Sequence, residues 1–321
     1  MASHQNLGVG LIGARGYTGA ELIKLLERHP MLHLSYAVSR QAAGQRVRDI
    51  VQGCSDELLF EDLTPEGAAE RGAQAVILAL PNGESDRWVS ALARARHDVI
   101  VVDLSADHRF DDWTYCIPER DRVKMTGVSR VANPGCFATG AQLGLLALRD
   151  SIGKSATVFG VSGYSGAGTT PSPRNNREIL RDNLLPYQLV DHVHEAEINA
   201  HAGVSVAFMP HVAPFFRGIT LTITAPLVGK ASAEDLLAAA SARFAGEPLV
   251  RVTADVPLVR DAAGRHDLTI GGFAVDKAGS RAVAVVTLDN LLKGAATQAL
   301  QNLNLALGLP ELSGIQDALA A

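Results

Sequence analysis

Short apolar runs alternate with more polar segments along the first third of the chain. They predict four buried strands, over residues 7–12, 32–38, 75–80 and 99–104. Continuous apolar runs of this length are typical of parallel strands that are covered on both faces. The segments 20–28 and 84–96 between them are expected to be helices. This alternation predicts a doubly wound parallel sheet of the α/β class, with ligands bound at the carboxyl ends of its strands.

The pattern changes in the second half of the chain. Further strands are expected over residues 157–161, 204–209, 219–226, 268–275 and 281–288, and a helix over residues 236–244. Their β-rich and partly alternating character predicts a mixed, largely antiparallel sheet in an α+β domain. Residues 290–307 predict a long amphipathic helix that ends at Gly308 and Pro310. A chain of 321 residues suggests about two domains.

Three glycines with the spacing Gly-x-x-Gly-x-x-Gly stand between the first strand and the first helix. They belong to the loop Gly13, Ala14, Arg15, Gly16, Tyr17, Thr18 and Gly19. Glycines at such a turn let the backbone approach a pyrophosphate, which the helix N-terminus then binds. The alternative is a tight turn without a ligand. The position of the loop after a strand and before a helix favours a dinucleotide site.

Ser39 and Arg40 follow the second predicted strand, where a dinucleotide fold contacts the adenosine ribose. An acidic residue there would favour the free 2′-hydroxyl of NAD, whereas a serine and an arginine suit the 2′-phosphate of NADP. The alternative is an ordinary exposed arginine. We therefore expect NADP as the cofactor.

Cys136 follows the turn Pro134-Gly135 and precedes the apolar run 141–148, which is expected to be helical. Near a helix N-terminus, free backbone N–H groups and the helix dipole favour a thiolate. The same N–H groups could receive the oxyanion of an acyl group that the sulfur attacks. A lone cysteine is more often an inert, buried residue. The local pattern leaves both interpretations of Cys136 open.

Two histidines, His192 and His194, lie among three carboxylates in residues 191–197. A His-x-His pair alone is a poor zinc signal, whereas a histidine titrates near neutral pH and suits general acid–base work. We therefore expect no metal. Arg109, at the end of the fourth strand, could bind a carboxylate or phosphate, or form a surface salt bridge. Residues 169–177 are either a mobile anion-binding loop or a surface linker.

Composition excludes several classes of function. A net charge of −5 and a pI near 6.1 argue against electrostatic binding to nucleic acid or to anionic lipid. Three sparse cysteines, Cys54, Cys116 and Cys136, argue against a disulfide framework and favour a reducing compartment. Residues 1–6 lack the features of a signal peptide, and no apolar window is long enough to span a membrane. We expect a cytoplasmic protein with a small-molecule substrate.

Several groups of residues form a set of motifs in a fixed order between Gly10 and about Glu311. They are residues 13–22, 103–107 with Arg109, 133–136, 162–163 with 165–168, 210–211 with 217–219, and 290–291 with 293–296. Together they resemble the N-acetyl-γ-glutamyl-phosphate reductase family, the NADP-dependent enzymes of arginine biosynthesis. The resemblance implies a Rossmann domain (residues 1–135 with 290–321) and a catalytic and oligomerisation domain (residues 136–289) similar to that of aspartate-semialdehyde dehydrogenases. It also implies a homodimer or homotetramer.

The resemblance assigns roles to individual residues. Cys136 is the expected nucleophile and His194 the first choice of base, with His192 as a substrate ligand or alternate base. The implied substrate contacts are Arg109, Ser165 and Arg217. The implied cofactor contacts beyond the loop and the Ser39-Arg40 pair are Pro81, Gly166 and Asn290. Three residues depart from the pattern of the family: Asn82, Cys116 and Val193.

The implied reaction is the NADPH-dependent reduction of the acyl phosphate N-acetyl-L-glutamyl 5-phosphate to N-acetyl-L-glutamate 5-semialdehyde. Covalent catalysis divides it into acyl transfer to Cys136 and reduction of the resulting thioester. The alternatives are a paralogue that reduces the longer N-acetylaminoadipyl phosphate in lysine synthesis, an aspartate-semialdehyde dehydrogenase, and a non-catalytic NADP-binding regulator.

Overall fold

The computed structural model describes residues 6–96 and 98–315 and divides into two compact units. The first unit is formed by residues 1–134 and 295–321, and the second by residues 135–294. Residues 1–5, on which the expected absence of a signal peptide largely rests, lie outside the described residues, as do the last residues of the predicted C-terminal segment, 316–321.

The first unit is built on a seven-stranded sheet. Its strands are β1 (Leu7–Ile12), β2 (Leu32–Val38), β3 (Phe60–Glu61), β4 (Ala75–Leu78), β5 (Ile100–Asp103), β6 (Thr114–Tyr115) and β7 (Arg130–Ala132). They lie in the order β3-β2-β1-β4-β5-β7-β6, and the pairings between the described strands are parallel. The order reverses between β1 and β4, which is where ligands bind in such sheets. The predicted doubly wound parallel sheet is confirmed.

The helices of this unit join the strands. They are α1 (Tyr17–Glu27), α2 (Val47–Ile50), α3 (Pro65–Glu70), α4 (Ser85–Ala95) and α5 (Pro118–Asp121). The first helix begins three residues before the predicted start because Gly16 is its N-cap. Gly19 lies inside the helix, where a Cβ would come within 2.5 Å of the Ala14 carbonyl oxygen. The glycine therefore lets the helix pack against the preceding turn.

The second unit has a seven-stranded sheet of its own. Its strands are β8 (Ser155–Gly163), β9 (Leu185–Pro186), β10 (Ser205–Ala213), β11 (Ile219–Pro226), β12 (Val250–Val252), β13 (Leu268–Val275) and β14 (Arg281–Leu288). They lie in the order β12-β13-β14-β11-β8-β10-β9. The pairs β8–β10 and β12–β13 are parallel, and the other neighbours are antiparallel. The predicted mixed, largely antiparallel sheet is confirmed.

The second unit carries the helices α6 (Cys136–Leu148), α7 (Arg177–Leu180), α8 (Val193–His201), α9 (Ala233–Arg243) and α10 (Val259–Ala262). Helix α6 is buried along almost its whole length against the sheet. A Cβ on Gly140 would lie 2.6 Å from Leu221 Cδ1, and one on Gly144 would lie 2.4 Å from Ile223 Cδ1. These glycines let the helix approach the strands closely, which fixes the position of its N-terminal residue, Cys136.

The segment after β14 differs from the single helix that was predicted over residues 290–307. Residues Leu292–Ala296 form a π-helical turn, and an α-helix, α11 (Thr297–Ala306), begins only after it. Residues 297–304 are all buried, so α11 has no solvent-facing polar side. The prediction of a long amphipathic helix was therefore wrong.

Several buried polar side chains of α11 form hydrogen bonds inside the first unit, which explains this error. Asn302 Nδ2 donates to Asn133 Oδ1 at 3.0 Å and to the Cys116 carbonyl oxygen at 3.1 Å. Asn304 Oδ1 lies 3.0 Å from His29 Nε2. Polar residues in a helix indicate a solvated face only when no internal partner exists. Within the described part of the chain, no helix is both long and apolar enough to cross a membrane.

Candidate active site

The predicted nucleophile, Cys136, is the first residue of α6, and Gly135 is the N-cap. The N-cap glycine has no side chain that could cap the helix, and the first turn of α6 carries no acidic residue. The N–H groups and the dipole of the helix N-terminus therefore act on the Cys136 sulfur, where they stabilise a thiolate. They also provide donors for an oxyanion that forms at an attacked acyl carbon.

A buried carboxylate ties this N-terminus to α8. The Gly135 N–H donates to Glu197 Oε1 at 2.8 Å, and Glu197 is fully buried. Glu197 lies on α8 three residues after His194, which places both side chains on one side of that helix. The contact therefore holds the helix that carries the histidines against the helix that carries the cysteine. Glu197 was not among the predicted site residues, although its spacing from His194 is visible in the sequence.

The two histidines have different environments. His192 is the N-cap of α8, and its Nδ1 accepts the His194 N–H at 3.0 Å. The proton of its neutral ring therefore lies on Nε2. Burial, together with the positive charge of Arg174, lowers the pKa of His192 to about 4. At neutral pH His192 is thus an uncharged ring that can donate a hydrogen bond from Nε2.

Aromatic rings pack around the histidines. The His194 ring lies 5.0 Å from the His192 ring and 5.8 Å from the ring of Phe137, the neighbour of Cys136 in the chain. Phe208 contacts both Phe137 and His192, at 5.0 Å and 5.4 Å between ring centroids. Tyr187 contacts His192 at 5.5 Å. Burial, with a smaller effect from the charge of Cys136, raises the pKa of Tyr187. The structure thus brings Cys136, His192 and His194 into one partly apolar cluster.

The π-helical turn approaches Cys136 from another direction. A Cβ on Gly294 would lie 2.7 Å from the Cys136 Cβ and 3.2 Å from its Cα. The Gly294 N–H donates to the Asp289 carbonyl oxygen at 2.9 Å, which holds the turn in place. Only glycine fits this position without displacing the cysteine. Gly294 was not among the predicted site residues, since nothing in its local sequence indicates a contact with Cys136.

Four other predicted site residues lie in or beside a buried network of the second unit. Asn290 Nδ2 donates to Ser165 Oγ at 2.9 Å, and Asn290 Oδ1 accepts the Gly218 N–H at 2.7 Å. Gly166 packs beside this pair. Arg217 Nη2 donates to Asp289 Oδ1 at 3.0 Å, in an ion pair whose carboxylate is fully buried. Both ends of the Asn290 amide thus have partners within this unit.

The glycine loop of the first unit has the geometry of an anion site. Gly13 has φ +79°, and its Cβ would lie 2.2 Å from the Ala79 carbonyl oxygen. The nearest atom to a Cβ on Gly16 would be the Gly13 carbonyl oxygen, at 3.4 Å. No side chain caps α1, which begins at Tyr17 and Thr18. Space for an anion therefore lies beside the N-terminus of an 11-residue helix.

Residues around this loop provide further polar groups. Arg40 begins an exposed 3₁₀ turn directly after β2 and forms no ion pair among the described residues. The Ser39 N–H donates to the Glu61 carbonyl oxygen at 2.9 Å, which fixes the backbone there. Arg15 Nη1 donates to Gln41 Oε1 at 2.6 Å. These positions fit a dinucleotide with a 2′-phosphate.

The loops after β4 and β5 are joined to each other. Asn82 Oδ1 accepts the Ala106 N–H at 3.0 Å, so this departure from the family pattern has a structural partner. Pro81 precedes it and is exposed. Arg109 is buried: its Nη2 donates to the Leu104 carbonyl oxygen at 2.7 Å and its Nε to the Asn133 carbonyl oxygen at 3.1 Å. The guanidinium is therefore held at the carboxyl ends of β5 and β7.

Two family models match the chain, one for each half. Residues 8–127 match the NAD binding domain of semialdehyde dehydrogenase, and residues 136–290 match its dimerisation domain. Solved structures share the fold. An aspartate semialdehyde dehydrogenase II from Vibrio cholerae has a TM-score of 0.77 at 20% identity, covering 95% of this chain and 99% of its own. A Candida albicans aspartate semialdehyde dehydrogenase, solved with NADP, has a TM-score of 0.70 at 18% identity, covering 94% and 98%.

Much closer similarity is found among N-acetyl-gamma-glutamyl-phosphate reductases. The protein of that name from Stenotrophomonas maltophilia is 52% identical, covering 96% of this chain and 97% of its own length. The one from Xylella fastidiosa is 50% identical, covering 96% and 94%. Fold and domain models thus place the chain in the semialdehyde dehydrogenase class. Within that class, it belongs to the N-acetyl-gamma-glutamyl-phosphate reductase family.

Proposed function

We propose that this chain reduces N-acetyl-L-glutamyl 5-phosphate to N-acetyl-L-glutamate 5-semialdehyde with NADPH, in arginine biosynthesis, through a thioester on Cys136. The observation that supports this proposal is the position of Cys136 at the N-terminus of α6, to which Glu197 of the histidine-bearing helix is hydrogen-bonded through the Gly135 N–H. The names of the relatives that are about half identical support the substrate.

The first half of the reaction is acyl transfer. The Cys136 thiolate attacks the acyl carbon, a carbon–sulfur bond forms, the carbon–oxygen bond to the phosphate breaks, and phosphate leaves with the bonding electrons. Backbone N–H groups of the first turn of α6 stabilise the oxyanion that develops on the acyl oxygen. His194 takes the thiol proton when the sulfur is protonated.

The second half is reduction of the thioester. When bound, NADPH supplies the hydride for this step. The resulting thiohemiacetal then releases the aldehyde: its hydroxyl proton passes to His194, and the carbon–sulfur bond breaks to return the Cys136 thiolate. We assign the base to His194 because the Nδ1 of His192 already accepts the hydrogen bond that caps α8. His192 then donates from Nε2 to a substrate oxygen.

We assign the cofactor site to the first unit. Gly13 and Gly19 allow close packing of the turn, and Gly16 leaves space for a pyrophosphate. Arg40 and Ser39 would hold the 2′-phosphate, which distinguishes NADP from NAD. Pro81 and Arg109 remain proposed contacts of the cofactor and of a substrate oxyanion, respectively. The ligand contacts proposed for the second unit are Gly166, Asn290, Ser165 and Arg217. The last three also have hydrogen-bond partners inside this unit.

We also propose a homodimer or homotetramer in the cytoplasm. One side of β11 is buried, whereas Thr222 on its other side is exposed, and Phe159 of the neighbouring β8 is 37% exposed on that same face. A second copy would cover this face of the sheet, in agreement with the dimerisation domain that matches. The three free cysteines favour a reducing compartment.

The reaction run in reverse tests the activity, because the aldehyde is more stable than the acyl phosphate. Purified protein receives NADP, phosphate and N-acetylglutamate 5-semialdehyde, with the aldehyde that is one carbon longer in parallel. Phosphate-dependent NADPH formation that prefers the shorter aldehyde is expected. A preference for the longer aldehyde would instead assign the chain to lysine synthesis, and no reaction with either would favour a non-catalytic regulator.

A further inference from the structure

The segment 169–177 contains a hydrogen-bonded turn around Arg174. Residues Pro173–Asn175 form a 3₁₀ turn with a capping box: the Ser172 N–H donates to Asn175 Oδ1 at 2.8 Å. Asn175 Nδ2 donates to the carbonyl oxygens of Gly168 and Thr170, at 2.9 Å and 2.7 Å. The segment is therefore a scaffold that holds Arg174 in a defined place.

Arg174 lies beside the catalytic cluster. Its guanidinium carbon is 5.1 Å from the centroid of the Tyr187 ring, and that ring contacts His192 at 5.5 Å. The positive charge of Arg174 acts on both groups, since it contributes to lowering the pKa of His192 and also opposes the rise in the pKa of Tyr187. The charge of Cys136 acts on the same tyrosine from within the cluster.

No carboxylate among the described residues forms an ion pair with this cation. Arg217 of the same unit, in contrast, is held by the buried carboxylate of Asp289. His192, which contacts the same tyrosine, is uncharged at neutral pH because its pKa is about 4. A half-buried guanidinium without a counter-ion, beside a nucleophile that expels an anion, is suited to bind an oxyanion.

We propose that Arg174 binds an oxyanion of the substrate beside Cys136. This proposal rests on the proposed function, in which the substrate carries two oxyanions, the phosphate that leaves and the carboxylate of the glutamate part. Either group would form charge-assisted hydrogen bonds with the guanidinium, and stacking on Tyr187 would hold its plane. The alternative is that Arg174 only packs on Tyr187.

The test measures protection of Cys136 from alkylation, which needs no turnover. The rate of reaction with iodoacetamide is followed against increasing inorganic phosphate and, separately, against increasing N-acetylglutamate. The variants are Arg174→Gln and Arg174→Lys, and the matched control is Arg177→Gln, which removes an exposed arginine from the same segment. The unfolding midpoint of each variant shows whether it is folded.

We expect Arg174→Gln to raise the half-protecting concentration of one of the two anions about tenfold or more, because the variant loses a charge-assisted hydrogen bond to that anion. Arg174→Lys restores part of the protection because it keeps the charge, and Arg177→Gln behaves like the wild type. A shift for phosphate assigns Arg174 to the leaving group, and a shift for N-acetylglutamate assigns it to the carboxylate. Unchanged protection in Arg174→Gln, or no protection of the wild type by either anion, would overturn the proposal. The reverse reaction of the wild type tests the proposed function separately.

Discussion

Gly294 lies directly against Cys136, so that a Cβ added to the glycine would lie 2.7 Å from the Cβ of the cysteine. The contact joins a π-helical turn to the first residue of α6. Insertions of this kind in helices are frequent at functional sites. The hydrogen bond from the Gly294 N–H to the Asp289 carbonyl oxygen leaves the turn little freedom to move away. The π-helical turn thus sets the position of Cys136, the proposed nucleophile.

Gly294→Ala is therefore expected to lower kcat about tenfold or more, with a smaller change in the KM for the aldehyde in the reverse reaction. The added methyl group pushes the sulfur out of line with the helix N–H groups, and a small misplacement of a reacting group costs a large part of the rate. The pH profile of Cys136 alkylation should shift upward, since the thiolate loses part of its stabilisation.

Gly144→Ala serves as the matched control for this variant. Its Cβ would lie 2.4 Å from Ile223 Cδ1, so that it strains the packing of the same helix far from the cysteine. Gly144→Ala should lower the unfolding midpoint but leave the alkylation profile of Cys136 in place. Equal shifts of the profile in the two variants would show that Gly294 acts through general stability alone.

His192→Asn tests the helix cap and its titration. Asparagine is a good N-cap and does not titrate, so the variant should fold. The pKa of His192 is about 4 in the folded chain, below the 6.5 that is usual for a histidine. A lowered histidine pKa means that the unfolded chain binds more protons between these values. The contribution of the uncharged His192 ring to the free energy of unfolding is therefore complete above about pH 6.5 and is lost as the pH falls towards about 4.

Between about pH 7 and pH 4, the wild type should therefore lose free energy of unfolding through the protonation of His192 in the unfolded chain. His192→Asn should lose up to about 3 kcal/mol less over the same range. Denaturant titrations at a series of pH values measure the difference. His33→Asn, which removes an exposed histidine from β2, is the control and should follow the wild type. Parallel curves for His192→Asn and the wild type would contradict the role of His192 as an uncharged cap.

Arg40→Ala tests the choice of cofactor. Loss of the guanidinium should raise the dissociation constant for NADPH about tenfold or more while changing that for NADH little, because only NADPH carries the 2′-phosphate. Fluorescence titration with both cofactors gives the two constants. Arg46→Ala removes a nearby exposed arginine and should change neither. An equal loss for NADPH and NADH in Arg40→Ala would remove the assignment of the 2′-phosphate.

Most of the fold followed from local patterns. Strands β2, β11, β13 and β14 have the predicted bounds because continuous or alternating apolar residues report directly on burial in a sheet. The turn Pro134-Gly135 placed Cys136 at or near a helix N-terminus, and α6 begins at this residue. Helix α11 was misjudged because its asparagines and glutamines have partners far away in the chain, which periodicity does not show.

The candidate site was predictable only in part, for the same reason. Cys136, His192 and His194 stand in recognisable local settings. Gly294 and Arg174 gain their meaning from contacts with residues distant in sequence, Cys136 and Tyr187 respectively. The tautomer of His192 likewise depends on a hydrogen bond that only the folded backbone of α8 provides. Contacts of this kind depend on the folded chain and are not visible in the local sequence.

The thioester itself is the most direct test of the mechanism. Freshly prepared N-acetylglutamyl phosphate is mixed with the protein in the absence of NADPH, and the phosphate released and the intact mass of the protein are measured together. We expect a burst of phosphate stoichiometric with the protein and an acyl group on the peptide that contains Cys136, both absent in Cys136→Ser, whose hydroxyl does not ionise near neutral pH. Phosphate release that requires NADPH and leaves no adduct, or near-full turnover by Cys136→Ser, would contradict the covalent route.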